Sequence, residues 1–480
     1  MQQAMASHTA SRPASPLAAH PDRLFPAEGG VREIARGLYG EVAGRPIVSP
    51  HGHVDPALLA DDAPFPDPTQ LLITPDHYVT RLLHANGVPL DHLGLGDEPA
   101  YSGRQTWRIF CAHWPDFAGT ASGYWLAQEF SQLFGIDPES ISAATADQVY
   151  DEVSAVLATE EFRPRRLFDS FGIDVLATTD DPLDDLEAHR RLAADPSFTG
   201  RVVPTFRPDA YLSVGKDFAD RTDRLLDSAG DGLTGYTGYL RALANRRQYF
   251  IDNGAVSADH GAHTPRTLKL DPAEAESLFD AARRGEATAD QARAFEAHML
   301  YQMARMSVDD GLVMTLHPGV HRNTHPATAQ TYGPDTGHDI PFAVDYSTGL
   351  RPVLEDFGTA EGFHLIPFTI DETVYSREIA PIAGFYPSVF IGAPWWFLDA
   401  PDAMLRFRAA VTETAGFTRN SGFIDDTRAF CSIPARHDTS RRIEASFLAR
   451  LVAEHRLSEE RAAQIIVELV DHAPRKAFKL

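Results

Sequence analysis

What most constrains the fold of this chain is a pattern that repeats without any repeat of the residues themselves. Eight short β-rich runs recur along it, each followed by a polar cluster and then by helical periodicity. They span 47–50 before His51 and His53, 175–178 before Asp180-Asp181-Pro182, 202–206 before Arg207-Pro208-Asp209, and 255–258 before Asp259-His260-Gly261. The remaining four span 313–316 before His317-Pro318-Gly319, 365–369 before Asp371-Glu372, 389–392 before Pro394-Trp395-Trp396, and 422–424 before Asp425-Asp426-Thr427-Arg428. Helical patterns cover 184–194, 236–253, 287–310 and 401–415 between them. Such alternation predicts an α/β chain folded as a (β/α)8 TIM-type barrel, which presents functional side chains where its strands end. No G-x-G-x-x-G follows a strand, as a doubly wound nucleotide-binding sheet would require.

A single core stops growing near ~250–300 residues, and 480 residues exceed that. The excess is expected in a helical insertion after the first strand, over about 74–166, with helices at 107–117, 124–134 and 146–157 lying on the barrel mouth. Helices at 441–452 and 459–472 are expected to close a single domain over 22–480. The Ala-, Ser- and Pro-rich stretch 1–21 reads as a disordered lead without the apolar centre of a signal peptide.

The net charge of −24 repels phosphate backbones and anionic lipid, so neither nucleic acid nor membrane is an expected partner. No apolar run approaches the ~18 residues of a membrane helix. Two distant cysteines, Cys111 and Cys431, fit a reduced, cytoplasmic protein. Exposed acidic helices around a barrel permit a homo-oligomer. An anionic substrate would need arginines gathered locally against the overall field.

His51-Gly52-His53 closes the first run. Residues two apart in a strand share a face, so the two imidazoles can meet on one divalent cation. A barrel with this feature resembles the amidohydrolase superfamily, in which an Asp ending the eighth strand is a further ligand. Asp425 and Asp426 occupy that place, although a pair of aspartates there could instead cap a helix. Two histidines and one carboxylate leave coordination positions open, as a catalytic site requires. Zn²⁺ is the leading candidate, and Mn²⁺ or another borderline ion fits the same donors.

A closer resemblance, to the glucuronate/galacturonate (uronate) isomerase family, runs from about residue 45 to the C-terminus. It rests on His51-Gly52-His53, Asp76-His77-Tyr78, Thr179-Asp180-Asp181-Pro182, Phe206-Arg207-Pro208-Asp209, Asp259-His260-Gly261 and His317-Pro318-Gly319. It continues through Arg322-Asn323, Gly333-Pro334-Asp335-Thr336-Gly337, Trp395-Trp396-Phe397, Asp426-Thr427-Arg428 and Arg436-His437 in the same order. The resemblance implies aldose–ketose isomerisation of an open-chain hexuronate, D-glucuronate to D-fructuronate or D-galacturonate to D-tagaturonate. A proton leaves carbon 2 and returns to carbon 1 through an enediol, which calls for a base beside both carbons and donors for the oxyanion.

On that basis His51, His53 and Asp426 are expected to hold the metal. Asp426, His317, Tyr78 and Arg428 are expected to carry the chemistry, with His317 as base, carbonyl polariser or fourth ligand. The substrate carboxylate suits the planar guanidiniums of Arg207, Arg322 and Arg428. Trp395 and Trp396 are expected to wall the pocket or fill the barrel. Two other readings remain at this level. One is a metal-dependent hydrolase of a lactone, amide or ester, which would want a Lys ending strand four or a His ending strand six. The other is a binding protein without turnover.

Overall fold

The computed structural model describes residues 17–480. Parallel pairing runs β1 (Ile47–Ser49), β2 (Ile173–Ala177), β3 (Arg201–Val203), with β3 leading through Phe206 to β4 (Ser257–Ala262). It goes on to β5 (Val313–Pro318). A small antiparallel pair, β6 (Val320–His321) with β7 (Ile340–Pro341), leaves the barrel before β8 (Leu365–Pro367) rejoins it beside β5. Bridges from Leu365 to Val389 and from Ile391 to Asn420 carry the parallel order through the last two positions. The amide of His53 then donates to the carbonyl of Thr427 at 2.9 Å, bringing the end of the circuit back to its start. This is a (β/α)8 barrel with the eight parallel positions the sequence predicts.

Several boundaries differ, for physical reasons. The fourth and fifth strands run through Ala262 and Pro318, so Asp259, His260 and His317 lie within strands instead of after them. Their side chains are buried polar groups that find partners across the β4–β5 ladder: His260 Nδ1 lies 2.9 Å from the carbonyl of Thr315, and the Thr315 hydroxyl donates to Asp259. The seventh and eighth positions form single bridges only, because Pro394 and the glycines 392 and 422 interrupt regular ladders. In the insertion, the helix expected over 107–117 stops at Ala112 and restarts as a 3₁₀ turn at Trp114, where Pro115 removes a donor. The helix expected over 441–452 begins earlier, as Ile433–Ala453, with Pro434 in its first turn where a missing N–H costs nothing.

Two large apolar clusters make up most of the core. One fills the barrel around β4, β5 and β8 with their covering helices. The other joins Ile47, Ile173 and Leu176 of the first two strands to the helices between Pro56 and Ser170, centred on Trp107, Phe110 and Phe130. The inserted helices therefore share an apolar core with the strands that carry His51 and His53. Of the expected lead, residues 1–16 lie outside the described residues. Leu17–Ala19 form a 3₁₀ turn, and the carbonyl of Pro21 accepts from Arg442 at 2.7 Å. Among the described residues, no helix is long and apolar enough to cross a membrane.

Candidate active site

A cavity of about 1090 Å³ opens at the C-terminal rim of the barrel. All of His51, His53, Tyr78, Arg207, His317, Arg322, Trp395, Trp396, Asp426 and Arg428 line it. Segments more than 370 positions apart in the chain thus meet at one place, as strand-end placement in a closed barrel requires.

At the floor, His53 Nε2 lies 3.0 Å and His51 Nε2 3.3 Å from Asp426 Oδ1. That oxygen is enclosed and has no hydrogen-bond partner among the described residues. Donor atoms about 2.1 Å from a tetrahedral Zn²⁺ stand about 3.4 Å apart, close to these separations. An orphaned carboxylate oxygen facing two imidazole nitrogens is the arrangement a divalent cation would complete, so the donors fit a metal. Burial alone would raise the Asp426 carboxyl, but the adjoining imidazoles hold it well below the usual carboxylate range.

The backbone pays for this aim with strain. Asp426 sits at φ 43°, in the left-handed region that side chains rarely adopt. Three other residues lining the cavity share that region: Asn323 at φ 55°, Asp335 at φ 59° and Trp396 at φ 55°.

Asp425 turns away from the cavity, and the reason is local. Its Oδ2 lies 3.0 Å from His437 Nε2, and its carbonyl accepts from Arg436 at 3.1 Å. Of the two adjacent aspartates, only Asp426 faces the imidazoles, and neither caps a helix. Asp371 and Glu372, at the end of the sixth strand, are likewise remote: Glu372 pairs with Arg406 at 2.7 Å on the exterior. Asp180 is buried beside Thr178 and Thr205, and burial lifts its carboxyl to about 7.

A second group adjoins the first. Asp259 Oδ1 lies 2.8 Å from His317 Nδ1, and Asp259 Oδ2 lies 4.0 Å from His51 Nε2 and 3.2 Å from Arg207 Nη1. The His317 ring is packed between His51, at 4.9 Å, and Phe368, at 4.2 Å, with Trp395 edge-on. Its Nε2 is buried and unpartnered among the described residues. His51, Asp259 and His317 form a second trio able to hold a cation, sharing His51 with the first. Burial would raise Asp259, yet His51, His317 and Arg207 keep it well below the carboxylate range.

The walls are cationic and aromatic. Arg207 is held by Asp209 at 2.8 Å and Asp259 at 3.2 Å. Arg428 donates to Asp335 at 2.7 Å, and Arg322 to Asp339 at 2.9 Å. Both of these arginines remain more than two-fifths exposed. Tyr78 lies in the helix His77–Ala85, whose first turn is capped by Asp76 accepting from the Tyr78 amide. Burial pushes its phenol well above the ordinary tyrosine value, so it stays protonated. His77 stacks on Tyr78 and accepts from Trp396 Nε1 at 3.0 Å; burial lowers it, so it stays neutral near pH 7. Both tryptophans face the cavity, so neither serves only as barrel filler.

Sequence reasoning did not single out Asp259, His77, Asp335 or Arg436 as site residues. Each falls within a matched motif, but nothing in a linear pattern distinguishes an aspartate facing a guanidinium across a cavity from one on the surface.

Residues 30–478 match the family model described as glucuronate isomerase. This chain belongs to the glucuronate isomerase family. A uronate isomerase of Corynebacterium efficiens is 57% identical over 465 residues, covering 96% of this chain and 99% of that one. One from Cutibacterium acnes is 49% identical over 462 residues, covering 96% and 98%. The crystal structure of a glucuronate isomerase from Caulobacter crescentus superposes with a TM-score of 0.94 at 46% identity, covering 97% of this chain and 98% of that one. Membership makes the chain an isomerase of the glucuronate isomerase type, acting on a small uronate.

Proposed function

We propose that this isomerase interconverts D-glucuronate with D-fructuronate and D-galacturonate with D-tagaturonate, at a centre built on His51, His53 and Asp426. The observation that carries this reading is the Asp426 side chain. Its Oδ1 is enclosed between two imidazoles, while 14% of the side chain stays open to the cavity. One oxygen can thus serve as ligand while the other accepts the carbon-2 proton and returns it to carbon 1. That division relieves the conflict between the two roles, since a ligated oxygen is the weaker base.

The donors His51 Nε2, His53 Nε2 and Asp426 Oδ1 would hold one divalent cation, with Zn²⁺ favoured and Mn²⁺ acceptable to the same set. When bound, it would supply positive charge near the oxygens that become anionic. The protonated Tyr78 phenol donates to the substrate, and Arg428 sits next but one to Asp426 to stabilise the oxyanion. Arg207 and Arg322 would bind the substrate carboxylate, and His317, fixed by Asp259, polarises the carbonyl. Trp395 and Trp396 shield the reacting carbons from water. Two buried free cysteines support a reducing, cytoplasmic setting.

The test is a coupled assay on both uronates, before and after dialysis against a chelator. Ketose should form from each without hydrolysis, and activity should fall on chelation and return with Zn²⁺ or Mn²⁺. No ketose from either uronate at high enzyme concentration would refute the reading.

A further inference from the structure

The motif Arg436-His437 has no part in the chemistry above, yet it adjoins it: Arg436 reaches the wall of the same cavity, and His437 lies behind that wall. Arg436 is 2% exposed and His437 6% exposed, on the first turns of the helix Ile433–Ala453. Consecutive side chains of this helix grip a single residue of the last strand position. Arg436 donates to the carbonyl of Asp425, and His437 Nε2 pairs with the Asp425 carboxylate. Arg436 is itself held by Asp399 at 2.9 Å and by the Ser432 hydroxyl at 3.1 Å, with its guanidinium carbon 3.6 Å from the centre of the Trp125 ring. On the other side, the carbonyl of Thr427 accepts from the His53 amide.

The residue between these two anchors is Asp426, at φ 43°. A non-glycine residue in the left-handed region is strained and persists only where its surroundings over-determine it. Here both peptide neighbours are pinned by side chains or by the first strand. Releasing Asp425 would let the Asp425–Asp426 segment relax, and Asp426 Oδ1 would swing off the line to His51 and His53.

We propose that Arg436 and His437 are positioning residues: they clamp Asp425 so that Asp426 is held strained, with one oxygen on the two imidazoles. The proposal rests on the assignment of Asp426 given above. It adds a function for a helix that touches none of the reacting atoms through His437.

His437 gives the cleaner test, because its ring reaches Asp425 with one nitrogen. A glutamine amide nitrogen spans about the same distance as Nε2, whereas asparagine is one methylene short. His437→Gln should keep kcat and Zn²⁺ affinity within about threefold of the wild type. His437→Asn should lower both by 10–100-fold, the range typical of groups that orient metal ligands, with KM changed less than threefold. Zn²⁺ affinity is read by competition with a chromophoric chelator, independently of turnover, and folding by circular dichroism. Equal values for both variants and the wild type would overturn the clamp, as would an equal loss in both. A KM rise at constant kcat would also overturn it, since that places His437 in substrate binding. If the wild type isomerises uronates but binds no Zn²⁺, the ligand reading fails, and the kcat comparison still judges the clamp.

Discussion

Glu129 offers the prediction whose size follows most directly from the structure. It lies on the helix Ala121–Leu133 at 3% exposure, one turn after Trp125, the ring on which Arg436 stacks. Burial raises its carboxyl from 4.5 to about 8, with Asp76 adding to the shift and Arg436 opposing it. The unfolded chain loses this proton near pH 4.5, while the folded chain keeps it to about pH 8. Between those values the folded state binds more protons, so stability falls as pH rises. A shift of about 3.5 units at about 1.4 kcal/mol per unit gives a loss of about 5 kcal/mol above pH 8. Glutamine has the same shape and no charge, so Glu129→Gln should remove that slope. About 4 kcal/mol of that loss falls between pH 5 and pH 8.5, so with an unfolding entropy of about 1 kcal/mol/K for a chain this long the variant should gain about 4 °C in Tm over the wild type across that window. Thermal unfolding followed by circular dichroism at pH 5, 6.5 and 8.5 measures it. A constant offset between the two proteins reflects only how well the amide packs. A difference that stays flat with pH, or that favours the wild type as pH rises, would refute the reasoning.

Two further outcomes test the site. Asp426→Asn should cut kcat by about 10²–10⁴-fold, the usual contribution of a positioned acid–base group, while KM for the uronate changes by only a few-fold in steady-state kinetics; retained turnover would remove Asp426 from the proton path. In Gly261→Ala, the new methyl would lie 2.6 Å from Asp209 Oδ2 and 3.1 Å from Arg207 Nη2, displacing the pair Arg207–Asp209. Since a misplacement near 1 Å can cost about 10²-fold, kcat/KM should fall by about that much with Tm shifted by only a few degrees.

The barrel was legible because its strands and helices follow two different periods, and strand ends gather chemistry. The pair His51 and His53 could be read from spacing alone. The choice between Asp425 and Asp426 could not, since it depends on a left-handed backbone held by Arg436 and His437 from more than ten positions away. Asp371-Glu372 looked chemical because acidic pairs do, yet the turn after β8 sends Glu372 outward to Arg406. Asp259 read as the residue after a strand; its partnership with His317 and Arg207 depends on β4 and β5 lying side by side, which no local pattern encodes.

The hydrogen bond from His53 to Thr427 joins the first strand position to the last. The candidate centre therefore straddles the join where the ring of strands shuts, with two of its three donors contributed from one side and the third from the other. A growing polypeptide has no such site until its final barrel segment has been made and docked. A cation spanning that join would act as a buckle, so catalytic competence and completion of the ring would arrive together.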